Sequence, residues 1–153
     1  MITYAQAREA LQAALAAALA TVPGAPALEV DEPRLADPDP DAQDNRYRAV
    51  LVPLGRGPAE DQLATPPPWR VEARFGVGLN GVGPDDAART ALLDAMATAC
   101  SQAIDDDYSL GGVVSYAEAT GLDSETDKQS GFAPDALLDI KVTLEFDALT
   151  RLG

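Results

Sequence analysis

Residues 69–80 read WRVEARFGVGLN, and this stretch decides the fold. Apolar side chains recur at every second position, which is the period of a β-strand with one buried face. The apolar positions are Trp69, Val71, Ala73, Phe75, Val77 and Leu79. The opposite face carries Arg70, Glu72, Arg74 and Asn80. The stretch therefore predicts a strand that packs one side against a core.

The same alternation returns near the end of the chain, where charged or polar residues separate Leu138, Ile140, Val142, Leu144 and Phe146. This pattern predicts a closing strand over 138–146. Residues 47–54 (YRAVLVPL) and 113–119 predict two further strands. Pro53 places the first of these at a sheet edge or marks its end, because proline cannot donate to a ladder.

Helical periodicity predicts two principal helices. The first follows the N-cap Thr3 and spans about 4–20. The second spans 84–104, with Pro84 at its first position. It is expected to stop before residues 105–107, three aspartates that the negative end of the helix dipole disfavours. Its predicted apolar stripe is Ala88, Leu92, Ala95, Met96, Ala99, Cys100 and Ala103.

The order helix, strand, strand, helix, strand, strand favours an α+β domain over residues 1–153. Because only one strand-to-strand passage contains a helix, we expect a mainly antiparallel or mixed sheet of about four strands, with both helices on one face. Residues 21–44, 54–68 and 120–136 are predicted as loops, the first two as extended acidic or proline-rich arms. Such long loops suit a chain that packs on a neighbouring subunit.

Composition excludes several classes of function. The formal charge of −14 argues against binding to nucleic acid or to anionic membranes. Histidine is absent and Cys100 is alone, so imidazole-dependent triads, disulfides and cysteine zinc sites are excluded. No signal peptide or membrane span is predicted. We therefore expect a soluble protein made in a cytoplasm, without a cofactor or metal, and not an enzyme.

Three local patterns have ordinary structural interpretations. Residues 76–81 match G-x-G-x-x-G, but the glycines continue the alternating strand, so a glycine-rich strand end is favoured over a dinucleotide site. Residues 37–41 (DPDPD) and the acids within 123–127 lack the EF-hand pattern, so solvated acidic loops are favoured over calcium sites. Trp69 and Cys100 are interpreted as core residues, the tryptophan as an anchor at a strand start.

The segment at 107–114 (DYSLGGVV) directly follows the second helix. It resembles a D-x-x-L-G-G-x-V stretch of tail terminator and related tail-completion proteins of long-tailed bacteriophages, carried here by Asp107, Leu110, Gly111 and Gly112. The predicted layout over 1–20 and 69–148 is similar to that family too. The resemblance implies a ring-forming virion protein, commonly hexameric, that caps the tail tube, stops its polymerisation and joins the tail to the head.

The expected partners are then further copies of the chain, the tail tube protein and a head–tail connector protein, while DNA passes through the channel without specific binding. Candidate contacts are Arg70 and Arg74, which would pair with acids of a neighbour, and Asp37, Asp39 and Asp41 in the acidic arm. The implied location is the head-proximal end of the tail, after synthesis in the bacterial host cytoplasm. Another connector or tube subunit, a small cytosolic ligand-binding domain or enzyme, and an acidic mimic of nucleic acid remain alternatives.

Overall fold

The architecture is α+β, as predicted, with two helices and a mixed sheet of five strands rather than about four. A computed structural model of the chain describes residues 1–30, 47–59, 68–82, 85–127 and 135–153. The helices are α1 (Tyr4–Ala20) and α2 (Asp86–Asp106). The strands are β1 (Leu28–Val30), β2 (Tyr47–Pro58), β3 (Trp69–Val82), β4 (Tyr116–Asp127) and β5 (Asp135–Ala148).

The strand order in the sheet is β1-β2-β3-β5-β4. The pairing of β1 with β2 is parallel, and the other three pairings are antiparallel. The two central strands are the two that the alternation predicted: β3 pairs with β5 from Trp69↔Ala148 to Val82↔Asp135. Since α2 links β3 to the parallel strand β4 and β5 lies between them, this part of the chain is a split β-α-β unit.

Both helices cover one face of the sheet and share its hydrophobic core. Every predicted apolar position of β3 from Val71 to Leu79 is buried there, opposite Ile140 to Phe146 of β5. Trp69 is partly buried against the core, and the guanidinium of Arg151 lies over its ring at 4.4 Å. Helix α1 contributes Ala7, Leu11, Leu15, Ala18 and Leu19. The spacing of three and four residues in α1 explains why this one face is buried.

Side-chain caps fix where each helix begins. The Thr3 hydroxyl accepts a hydrogen bond from the Gln6 amide, and the Gln6 side chain accepts one from the Thr3 amide. This reciprocal capping box satisfies two amides that have no partner within the helix. The Asp85 carboxylate likewise accepts hydrogen bonds from the amides of Ala87 and Ala88, both at 3.1 Å. Pro84, the predicted first residue of the second helix, lies outside the described residues.

Two details predicted for α2 were wrong. The helix does not stop before the aspartates but continues through Asp106, two residues beyond its predicted end. Its buried face is also rotated from the predicted stripe, since Ala88 and Ala95 are exposed. The residues that the core buries are Arg89, Leu93, Met96, Ala97, Cys100 and Ile104. Alanines occur on every side of this helix, so the larger Leu93 and Ile104 decide which face is buried.

The predicted arms at 21–44 and 54–68 are shorter than expected. Strand β1 lies inside the first arm, where three residues are too few to show an alternating pattern, and Glu29 pairs with Arg48 at 2.6 Å. Strand β2 continues past Leu54 to Pro58 with a bulge between Pro53 and Gly55. In the described part of the chain, β1 covers only residues 49–51 of β2. Beyond them β2 is an edge strand, which tolerates proline.

The strand predicted at 113–119 is displaced toward the C-terminus, because β4 spans Tyr116–Asp127 and thus occupies much of the predicted loop at 120–136. Residues 107–113 form turns, so pairing with β5 starts only at Tyr116. A bulge between Ala119 and Gly121 shifts the register within β4. The polar composition that indicated a loop instead suits an edge strand, where charged side chains discourage pairing with other chains.

Replacing Gly81 with alanine should lower the free energy of unfolding by about 1–3 kcal/mol, because overpacking forces neighbours to move. A Cβ at this position would lie 2.8 Å from Cε1 of Tyr47 and 3.1 Å from Cγ of Arg89. Urea denaturation measures the change. Gly57→Ala is the matched control, since nothing lies within 4 Å of its Cβ position. Equal stabilities of the two variants would contradict the close packing at Gly81.

Candidate interaction surfaces

The turn that resembles the phage family is held by its own hydrogen bonds. The Asp107 carboxylate accepts from the Gly111 amide at 2.8 Å and from the Ser109 hydroxyl at 3.0 Å. Leu110 has a φ of 50° and is buried, and both glycines that follow have positive φ. A leucine keeps this left-handed conformation only where its surroundings compensate for the strain. The segment therefore has one defined shape at the end of α2.

The end of the sheet beside this turn carries most of the exposed apolar side chains. Strands β2, β3 and β5 have their Pro58, Trp69 and Ala148 termini here, and β4 begins here. Among the described residues, six of nine exposed large hydrophobic side chains belong to this end. They are Met1, Tyr108, Val113, Tyr116, Leu149 and Leu152, which we call the apolar end. Such a concentration is typical of a surface that binds another protein.

Two tyrosines stand beside each other at the apolar end. The rings of Tyr108 and Tyr116 are 6.1 Å apart with an interplanar angle of 46°. Tyrosine is enriched at protein interfaces because it buries a large area and loses little conformational entropy. Neither tyrosine was a candidate in the sequence, since neither belongs to an alternating or helical pattern. Only the turn at 107–112 brings the two rings together.

The face of the sheet opposite the helices, called the second face, carries the predicted arginines. The two are not equivalent. Nε of Arg70 lies 2.7 Å from Oδ1 of Asp147, and Nη1 of Arg70 lies 3.7 Å from Oε2 of Glu145. Arg74, four residues along β3, makes no ion pair with any residue that the structure describes. The three other candidate contacts, Asp37, Asp39 and Asp41, lie outside the described residues.

Asn80, predicted on the polar face of β3, is instead buried. Arg89 of α2 is also buried, and its Cγ lies 3.1 Å from the position of a Cβ at Gly81, on the face that the helices cover. The Asn80 Oδ1 atom has no hydrogen-bond partner in the described part of the chain. Sequence reasoning missed the burial of Arg89 because an arginine in a helix is expected to face solvent.

The remaining sequence motifs lie in regular structure. Gly76, Gly78 and Gly81 are all within β3, which continues to Val82, so they do not form a turn that opens a helix. Burial raises the pKa of the Cys100 thiol to about 11, which disfavours the reactive thiolate. The described residues contain no group of His, Cys, Asp or Glu side chains arranged to hold a metal ion. Within those same residues, neither helix has the length and hydropathy of a membrane span.

No protein-family model matches the chain, and no curated protein matches it. The apolar end and the second face are therefore the two surfaces on which a functional proposal rests.

Proposed function

We propose that this chain is a structural protein of a phage tail or phage-like particle, namely a tail terminator. Copies of the chain form a ring, expected to be a hexamer as is common in the family that the segment at 107–114 resembles, at the head-proximal end of the tail tube. The ring stops tube polymerisation and provides the surface to which a head–tail connector binds. The resemblance at residues 107–114 suggests this function, and the surfaces described above support it.

The apolar end is the observation that carries the proposal. It places Tyr108, on a turn with defined geometry, beside Tyr116 at the start of β4, at the same end of the sheet as the exposed leucines that follow β5. A terminator needs one such surface for the end of the tube, because it must bind a flat array of tube subunits without adding another layer. Hydrophobic side chains surrounded by polar ones give protein interfaces their affinity.

The charge of the chain supports the same proposal. A protein with a formal charge of −14 repels the phosphates of DNA. A ring of such subunits allows DNA to pass through its channel without binding. The same charge disfavours aggregation of free subunits before the tube reaches its final length.

The mass of the purified chain, measured by light scattering after size exclusion, tests the proposal together with negative-stain images. We expect discrete rings, or monomers that become rings when the tail tube protein of the same particle is added. In a polymerisation assay, the chain should shorten the tubes in proportion to its concentration. Tail tube protein polymerised alone is the control.

Other results would replace the proposal. Long tubes formed by the chain itself would identify a tube subunit, an assignment that the position of β4 at the edge of the described sheet also permits. Monomers that do not assemble with tube protein but are thermally stabilised by a nucleotide or calcium would indicate a ligand-binding domain. A tight complex with a basic host protein would indicate an acidic mimic of nucleic acid.

A further inference from the structure

A pocket lies in the middle of the second face and crosses all four long strands. Its volume is about 400 Å³. The floor is formed by Phe75 and Val142, partners in the central pair of strands, whose side chains belong to the core on the other face of the sheet. The walls are Leu54 of β2, Arg74 of β3, Lys141 and Thr143 of β5, and Thr120 of β4. We call this the Arg74 pocket.

Two β-bulges shape this pocket from opposite sides. The cross-strand row Pro53–Phe75–Val142–Ala119 runs through its floor. The ladder shifts directly after Pro53 on β2 and directly after Ala119 on β4, so Leu54 and Thr120 are the extra residues. A bulge redirects a side chain and occurs often beside functional sites. Here both redirected side chains line the same pocket.

The charges in the pocket favour an anionic ligand. Lys141 already forms an ion pair within the chain, because its Nζ lies 2.5 Å from Oδ2 of Asp139. Arg74 is exposed and has no acidic partner among the residues that the structure describes. This is unexpected in a chain with 25 acidic and 11 basic residues. A guanidinium binds a carboxylate through two parallel hydrogen bonds, and hydroxyls such as that of Thr143 can donate a further one.

We propose that the Arg74 pocket receives a carboxylate side chain from the neighbouring copy of the chain. This inference rests on the proposed function, since it names a contact between subunits of the ring. Charge complementarity selects the occupant, because the chain is strongly acidic while the pocket contains a cation, Arg74, that has no acidic partner in the described part of the chain. A contact between two different surfaces of identical subunits is the kind that closes a ring. Leu54, half exposed at the rim, would be covered by the same neighbour.

Arg74→Gln and Arg70→Gln form a matched pair of variants for the test. Both remove one arginine from the same face of β3, but Arg70 already pairs within its own chain. Light scattering across a dilution series gives the concentration at which rings dissociate. We expect this concentration to rise at least about tenfold for Arg74→Gln, since an interfacial charge would lose its partner. It should change less than about twofold for Arg70→Gln, and Arg74→Lys should recover part of the loss.

Salt and tube protein provide two further readouts. Raising NaCl from 0.1 to 1 M should dissociate wild-type rings and change the Arg74→Gln assembly much less, because this salt screens exposed ion pairs. Equal effects of the two glutamine variants would overturn the inference. The Arg74→Gln variant could instead form stable rings that no longer bind tube protein. This result would place the carboxylate on the tube protein and would also overturn the inference. In either case the inference about the pocket fails, but the proposed function stands as long as the wild-type chain forms rings. A wild-type chain that never forms rings would overturn the proposed function.

Discussion

Replacing Phe75 with alanine should lower the free energy of unfolding by about 3–5 kcal/mol, the range for truncation of a buried aromatic side chain. Phe75 is fully buried at the middle of β3 and is paired on both sides, with Pro53 and with Val142. Its ring also stacks on Tyr4 of α1, with centroids 5.8 Å apart and an interplanar angle of 7°. The substitution therefore removes a contact between the sheet and the first helix as well as core volume.

Urea denaturation followed by circular dichroism measures the loss. Arg74→Ala is the control on the neighbouring residue, since its exposed side chain should contribute less than about 0.5 kcal/mol to stability. Phe75→Leu should cost less than the alanine variant, because it retains more of the core volume. A cost below about 1 kcal/mol for Phe75→Ala would mean that the core does not depend on the centre of β3.

Much of this fold could be predicted because its principal elements have strong periodic patterns. Thr3 predicted the start of α1, and the alternation in 69–80 and 138–146 predicted the two central strands. Weak patterns caused the errors. Strand β1 has three residues, which are too few to show an alternation of apolar and polar side chains. Strand β4 is so polar that its sequence predicted a loop.

The candidate surfaces were less predictable, because they depend on which residues pair between strands and not on the pattern of apolar residues along one strand. Arg70 and Arg74 occupy the same face of β3 and look alike in the sequence. Only the pairing of β3 with β5 shows that Arg70 lies opposite Asp147 whereas Arg74 lies opposite Thr143. The Arg74 pocket likewise needs two bulges on different strands, and neither Leu54 nor Thr120 has a sequence signal for a bulge.

Replacing Tyr108 with alanine should weaken binding of the chain to tail tube protein by about 30-fold, or about 2 kcal/mol, the threshold for an interface hot spot. Tyr108 is 57% exposed, so the substitution removes little from the core. It removes the ring that packs beside Tyr116 at the apolar end. Calorimetric titration of tube protein with each variant gives the affinity.

Leu122→Ala is the matched control for this prediction, because Leu122 is 56% exposed but lies on β4 away from the apolar end. Its affinity for tube protein should stay within about twofold of wild type, since most exposed residues outside a hot spot contribute little. If both variants lost affinity equally, general surface hydrophobicity would drive binding, and the apolar end would lose its assigned role. If only Leu122→Ala lost affinity, the tube would bind at the groove between α2 and β4, which Leu122 lines with Asp94 and Asp105. A difference confined to Tyr108 would instead link the D-x-x-L-G-G turn directly to tube capping, because that turn is what holds Tyr108 beside Tyr116.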